Sequence, residues 1–157
     1  MKRALIIVIA LAASGFLLWY GAPSKDVTST AAPPVPAPAR ATVSVQIGAA
    51  TVVAEVADTS AEQMQGLSGR ASLGADAGML FTFDAPSRTG FWMNGMRFPL
   101  DLIYMKEHVV VELKENEPVP TTLPTPFFPS SDFDAVLEVN AGWAAAHQVT
   151  VGMGAQY

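Results

Sequence analysis

Apolar and polar residues alternate in the segment that follows residue 41. In TVSVQI, the side chains of Val43, Val45 and Ile47 share one face, and residues 48–50 lead into a second alternating run, TVVAEVA. Side chains two residues apart lie on the same face of a strand. The period therefore predicts two half-buried β-strands joined by a tight turn.

The period changes in the next run, DTSAEQMQGL. Thr59 and Glu62 have the spacing of a capping box, which predicts a short helix that begins near Ser60. After this helix, GMLFTF predicts a short apolar strand, and APSR, residues 85–88, predicts a loop.

The run GFWMNGMRFPLDLIYM, residues 90–105, contains the sequence most typical of a two-residue hairpin turn. Asn94 and Gly95 tolerate the positive φ that both central residues of this turn require. A hairpin here would place Trp92 opposite Arg97. These two side chains would then form a cation–π pair on a solvated face, or Trp92 would be a flat wall for a ligand.

Several further elements complete the predicted fold. DLIYM and VVVELKE predict a second hairpin around the polar turn at residues 106–108, and DAVLEV predicts a last clear strand followed by a short helix in WAAAHQ. Residues 118–131 form a proline-rich loop that is too long to be a simple connection. These elements predict a mainly β fold, a compact β-sandwich or partial barrel with one or two short helices.

The N-terminal residues have a different character. Lys2 and Arg3 precede an uncharged, mostly apolar run at residues 4–24. Such a run is long enough to cross a bilayer, and residues 4–22 would anchor the chain in the inner membrane with the basic end in the cytoplasm. A cleaved signal peptide has the same charge order. Both interpretations place the rest of the chain outside the cytoplasm, on the periplasmic side of the inner membrane, either anchored or released.

Three regions follow from these patterns: an anchor or signal at residues 1–22, a Pro/Ala-rich linker at 23–41 and a globular β domain at 42–157. The domain carries thirteen acidic and five basic side chains, a net charge of −8. This charge argues against nucleic-acid binding, in which phosphate contacts dominate the affinity. The chain has no cysteine, which excludes disulfides and thiolate zinc sites. The two histidines lack ligand spacing, so we expect no metal and no cofactor.

A few polar residues in apolar surroundings are the candidate site. The candidate ligand-binding residues are Glu55, Asp58, Arg70, Trp92, Asn94 and Asp101. One interpretation is that the acids and Arg70 lock loops together. The other is that an acid acts as acid or base beside Arg70.

Asp101 has the most specific expectation. Alternation in PLDLIYM places Asp101 on the face of Ile103 and Met105, so its carboxylate should be at least half buried. A buried carboxylate needs a partner, and the candidates are Arg70 and the free backbone amides beside Pro99.

The runs AEVADTSAEQMQGLSGRASLGADAGMLFTF, FWMNGMRFPLDLIYM and LEVNAGWAAAHQVTVGM resemble the domain of unknown function 192 family, from about Val43 to the C-terminus. The family typically has Phe-Trp-Met-Lys-Asn-Thr before Pro-Leu-Asp, whereas this chain has Asn94, Gly95 and Met96 at the last three positions. The resemblance implies a compact, mainly β domain of sandwich type, and it implies no activity.

The expected function is therefore a binding or interaction module at the cell envelope, for a small ligand or an envelope partner. The alternative is a small hydrolase or lyase that uses Asp101 with Arg70. In either case the proline-rich loop at residues 118–131 would be a lid.

Overall fold

The computed structural model of the chain describes residues 40–157, so the predicted anchor and nearly all of the linker lie outside the described residues. None of the helices in the described part is long and apolar enough to cross a bilayer. The elements are β1 (Thr42–Ile47), β2 (Ala50–Ala57), α1 (Ser60–Gln65), β3 (Ala77–Ser87), β4 (Leu100–Lys106), β5 (Val109–Glu117), β6 (Phe133–Asn140), α2 (Trp143–Ala146) and β7 (Ala155–Gln156).

Residues 40–157 form one seven-stranded sheet in the order β5-β4-β6-β3-β2-β1-β7. Strands β2 and β3 are parallel, and the connection between them contains α1, because parallel neighbours need a crossover. The other neighbours in the order are antiparallel.

The two edges of the sheet meet at one end. The amide of Val110 donates to the carbonyl of Met153 (2.9 Å), and the amide of Gly152 donates to the carbonyl of Val110 (2.8 Å). The amide of Ala155 donates to the carbonyl of His108 (2.7 Å). The sheet is therefore a curled partial barrel, which confirms the predicted mainly β class with two short helices in the described part.

Each face of the sheet carries its own apolar core. The first face holds a core that includes Val45, Ile47, Ile103 and Leu137, and it is covered by α2 and the C-terminal residues. The second face holds Met79, Phe81, Leu102, Tyr104 and Val136, and it is covered by Leu67, Phe91, Met93 and Met96 from the loops. The alternation predicted for residues 100–105 is confirmed, since consecutive side chains in β4 enter opposite cores.

The hairpin predicted at Asn94 and Gly95 is wrong. A turn does form there, with the amide of Met96 donating to the carbonyl of Met93 (3.3 Å), but of the two central residues only Gly95 has a positive φ (70°). Residues on either side of the turn do not pair with each other, so Trp92 and Arg97 are not cross-strand partners. Both methionines are buried on the second face. Their burial folds this segment down onto the sheet.

The second predicted hairpin is confirmed, and its turn has two residues, because Lys106 pairs with Val109. Glu107 and His108, between β4 and β5, have φ values of 49° and 62°. Both central positions are positive, as a two-residue hairpin requires. The loop predicted at residues 85–88 is also corrected, because β3 continues to Ser87, which pairs with Phe133 of β6 after a register shift.

Asp101 joins three elements through its carboxylate. The side chain is fully buried on β4. Its Oδ1 accepts a hydrogen bond from the amide of Asn116 in β5 (2.8 Å), and its Oδ2 accepts one from the amide of Ala144 in α2 (2.9 Å). The expected burial is correct. The expected partners, Arg70 or amides beside Pro99, are not the ones found.

We expect Asp101→Asn to destabilise the fold by roughly 1–3 kcal/mol, the value of a buried charge-assisted hydrogen bond. The new amide nitrogen would face an N–H donor in place of an acceptor. A melting curve of full-length protein in a mild non-ionic detergent should show a midpoint several degrees lower. Asp84→Asn, at an exposed position of β3, is the matched control and should melt like wild type. Equal melting of the Asp101 variant would contradict a structural role.

Candidate functional site

A cavity of about 250 Å³ lies over the second face of the sheet. One wall is α1 with the turn that follows it, and the other wall is the segment at residues 89–96. Its lining includes Gln63, Met64, Phe81, Phe91, Trp92 and Glu138. Its lining combines aromatic and other apolar side chains with polar ones, and small-molecule binding sites also combine the two kinds.

The helical wall is fixed by its caps and by hydrogen bonds from Gln63 to the sheet. The hydroxyl of Thr59 accepts from the amide of Glu62 (3.3 Å), and the carboxylate of Glu62 accepts from the amide of Thr59 (3.2 Å), which confirms the predicted capping box. The amide of the Gln63 side chain donates to the carbonyl of Thr82 in β3 (2.8 Å). The helix therefore keeps its position over β3 although it has fewer than two turns.

The opposite wall is held in place by backbone hydrogen bonds. Phe91 and Phe127 exchange two of them, at 2.9 and 2.8 Å, so the proline-rich loop fixes the segment from outside. The amide of Gly69 donates to the carbonyl of Gly95 (2.9 Å), and this bond joins the two walls. Position 95 favours glycine because its φ is 70°, and a Cβ there would also force the hydroxyl of Ser68 to move.

The proline-rich loop supports the wall from behind. No residue of 118–131 lines the cavity. The ring of Phe128 lies over Gly90, where an added Cβ would come within 2.7 Å of its Cε1 atom. In the described structure this loop therefore supports residues 89–96 from outside and does not cover the cavity.

Glu138 lies at the floor of the cavity. It belongs to β6, where its sheet neighbours are Met79 of β3 and Leu102 of β4. The residue is 7% exposed, and its carboxyl group makes no hydrogen bond or ion pair with any residue in 40–157. Burial disfavours the charged form and raises the pKa of this carboxyl from 4.5 to about 8.

Aromatic rings surround the floor and pack edge to face. The ring centroid of Phe91 lies 5.6 Å from that of Phe81 and 5.7 Å from that of Tyr104. Phe133 extends the cluster, with its centroid 5.3 Å from that of Tyr104. Such contacts stabilise beyond simple burial and hold the rings in fixed orientations. The cavity is therefore a preformed site.

The structure divides the six predicted site residues into two groups. Trp92, which is 50% exposed, and Asn94 both line the cavity. Asp58 is exposed and Asp101 is buried under the first face, and neither lines the cavity.

Glu55 and Arg70 form an ion pair away from the cavity. The Nη2 atom of Arg70 lies 2.6 Å from Oε2 of Glu55, and the Nη1 atom contacts Oε1, so the pair is bidentate. The hydrogen bond from Arg70 lowers the pKa of the Glu55 carboxyl, and Arg40 adds a weaker contact at 3.5 Å. The pair ties the turn after α1 to β2, which is a structural contribution.

Glu138 is the functional candidate that the sequence analysis missed. Its signal in the sequence is a lone acid inside the apolar run AVLEV. Alternation places it on the face of Val136, and an acid on a face that is otherwise apolar needs an explanation. Within residues 40–157, no group of three or more His, Asp and Glu side chains comes together as a metal site would require.

Two solved structures are similar to this chain. A protein of unknown function from Novosphingobium aromaticivorans is 32% identical, with a TM-score of 0.69, and the match covers 87% of this chain and all of that one. A protein from Sinorhizobium meliloti, designated a candidate transcription regulator, is 25% identical with a TM-score of 0.69. That match covers 75% of this chain and 95% of that one. No curated protein matches.

A family model describes the same domain boundaries as the fold. The model of the domain of unknown function 192, an uncharacterized ACR, matches residues 42–157, which include every strand and helix of the described structure. The match covers well over half of the chain, and the chain therefore belongs to the domain of unknown function 192 family.

Proposed function

We propose that the domain is a binding module for a small ligand, which enters the cavity between α1 and residues 89–96. The observation that carries this proposal is the carboxyl group of Glu138, which lies at the floor of the cavity and makes no hydrogen bond or ion pair with residues 40–157. A carboxyl group that lacks a hydrogen bond in an apolar environment costs folding free energy. Binding sites commonly keep groups that cost stability, because a ligand uses them.

The mouth of the cavity supports the same function. Met64 and Trp92 line it, and they are 73% and 50% exposed. Large apolar side chains that remain exposed at the rim of a cavity are typical of binding surfaces. A ligand that enters would cover part of both side chains.

The alternative function, a hydrolase or lyase that uses Asp101 with Arg70, has less support. The two side chains bind different partners, Asp101 two backbone amides and Arg70 the carboxylate of Glu55. Neither lines the cavity. An acid and a base need a shared, accessible site to act on one substrate.

We also place this binding module at the cell envelope, with the domain on the periplasmic side of the inner membrane. This location is supported by the sequence, in which two basic residues, Lys2 and Arg3, directly precede the uncharged run at residues 4–24. In this location the domain could bind an envelope protein in place of a small ligand, which is the other half of the expected function.

Binding should be visible at single methionines. Met64 and Met96 line the cavity, whereas Met105 and Met153 belong to the core of the first face. With methyl-labelled methionine in full-length protein, small ring compounds in cationic, neutral and anionic forms should include some that saturably shift the first two signals only. Trp92→Ala should weaken this binding several-fold, and Val151→Ala, at an exposed apolar position outside the cavity, should not. Shifts of none of the four signals would contradict the proposed function.

The raised pKa of the Glu138 carboxyl should make the free energy of unfolding depend on pH. Its pKa is about 8 in the folded state against 4.5 for a free carboxyl, so the folded state holds a proton that the unfolded chain releases in this window. Raising the pH from 4.5 to 8 should therefore destabilise wild type relative to Glu138→Gln, by roughly 1.4 kcal/mol per pH unit at most.

Urea unfolding at pH 5, 7 and 9 measures this difference. Glu138→Gln should gain roughly 4 kcal/mol over wild type between pH 5 and 9. Glu115→Gln, at an exposed position, removes the same charge and should show no such gain. If the free energies of unfolding of wild type and Glu138→Gln change in parallel with pH, the Glu138 carboxyl already has a hydrogen-bond partner or water that stabilises its charge.

The location is tested by topology. We expect protease added to spheroplasts of a Gram-negative host to degrade the domain, because the positive-inside rule keeps Lys2 and Arg3 in the cytoplasm. A cytoplasmic marker protein should stay intact in the same sample. Protection of the domain until the inner membrane is lysed would place it in the cytoplasm.

A further inference from the structure

We propose that the ligand of the cavity is a small organic ammonium ion, with its charged head on the carboxyl group of Glu138 and its apolar part against the aromatic rings. This inference rests on the proposed binding function and specifies its ligand class. It is carried by three properties of the site: the charge of its lining, the nature of its walls and the charge of the domain around it.

The lining carries one kind of charge. Among the side chains of the described residues that line the cavity, Glu138 is the one ionisable group, and no Lys, Arg or His is present. A carboxylate or phosphate ligand would find no cation to pair with. An ammonium group would donate to the free oxygens of Glu138, and a charge-assisted hydrogen bond of this kind is stronger than a neutral one.

The walls suit a cation that carries an apolar group. Phe81, Phe83, Phe91 and Trp92 line the cavity, and the faces of aromatic rings attract cations. The side chains of Gln63 and Asn94 also line it and offer carbonyl oxygens for further N–H donors. The rings provide the apolar surface that the rest of the molecule would bury.

The surrounding charge attracts the same class of ligand. The domain has thirteen acidic and five basic side chains, and a net negative charge raises the local concentration of cations. Long-range attraction of this kind decreases with salt. It would bring an amine to the cavity and repel an anion.

The ionisation of Glu138 gives the proposal a distinctive signature. The carboxyl has a pKa of about 8 when the cavity is empty, so it is mostly neutral at pH 7. A bound ammonium would stabilise the carboxylate, and binding at pH 7 should release close to one proton per ligand. The affinity should rise as the pH increases to about 8 and then level off.

Other ionisable groups on this face do not produce this signature. Glu55 and Lys114 are in ion pairs, with Arg70 and Glu117 respectively. The Tyr104 hydroxyl is buried, and desolvation raises its pKa further from neutrality, as do nearby carboxylates that include Glu138. The carboxylate of Glu112 accepts hydrogen bonds from Ser130 and the amide of Ser131. Glu138 is therefore the group that would release the proton.

The test compares three probes of nearly equal size: benzylammonium, benzyl alcohol and benzoate. Each is titrated into full-length protein with methyl-labelled methionine at pH 6, 7 and 8, and the Met64 and Met96 signals are followed. We expect benzylammonium to bind at least roughly tenfold more tightly than benzyl alcohol at pH 8. Calorimetry at pH 7 in buffers with different ionisation heats should show the released proton.

Two variants distinguish a direct contact with Glu138 from the long-range attraction of the negatively charged domain. Glu138→Gln should lose the preference for benzylammonium and the proton release. Glu115→Gln removes one exposed negative charge and should keep both. The proton release of wild type is measured without any variant, so it tests the inference even if Glu138→Gln does not fold.

The outcomes separate the two proposals. Tighter binding of benzyl alcohol or benzoate than of benzylammonium, with Met64 and Met96 shifted, would overturn the ammonium ligand and leave a binding module. Amine binding that survives in Glu138→Gln, or that releases no proton in wild type at pH 7, would also overturn it. If none of the three probes shifts Met64 or Met96, the ammonium inference is wrong and the proposed binding function loses its support as well.

Discussion

The packing of Phe91 onto the second face of the sheet is the contact on which the cavity depends. Its ring meets Phe81 and Tyr104 edge to face, and its backbone exchanges two hydrogen bonds with Phe127. The ring therefore fixes residues 89–96 to the sheet, and the backbone fixes them to the proline-rich loop. Because α1 is held separately by the bond from Gln63 to β3, the space between the two walls stays open.

Two buried acids, one on each face, show opposite uses of a carboxyl group. Asp101 accepts a hydrogen bond from one backbone amide on each oxygen, and these bonds connect β4 with β5 and α2. Glu138 has no such donors among residues 40–157, and burial raises the pKa of its carboxyl to about 8 because it disfavours the charged form. The surroundings of the two acids differ, because the fold supplies backbone donors at Asp101 and the open space of the cavity at Glu138. The first acid connects three elements of the fold, and the second lies at the floor of the cavity.

Local patterns predicted much of the fold, since alternation in β1, β2 and β4 and the capping box of α1 depend on neighbours in sequence. The Asn94–Gly95 hairpin failed because burial of Met93 and Met96 outweighed the local preference for that turn. Of the residues that line the cavity, the sequence analysis had named Trp92 and Asn94. Glu138 was not, because its isolation depends on which loops cover the second face, and that depends on contacts distant in sequence. The pairing of Arg70 with Glu55 likewise follows from the positions of β2 and of the turn after α1.

Position 94 relates the cavity to the family motif. The family typically has lysine there, whereas this chain has asparagine, and Asn94 lines the same cavity as Glu138. A lysine would bring its own ammonium group to a cavity whose one ionisable side chain is an acid. Asparagine brings no charge, and the carboxyl of Glu138 has no ion pair within the described residues. An external ammonium ion would supply the charge that the side chain at position 94 lacks. Asn94 and Glu138 thus line one cavity without a cation among the lining side chains, and the proposed ammonium ligand would be the cation there.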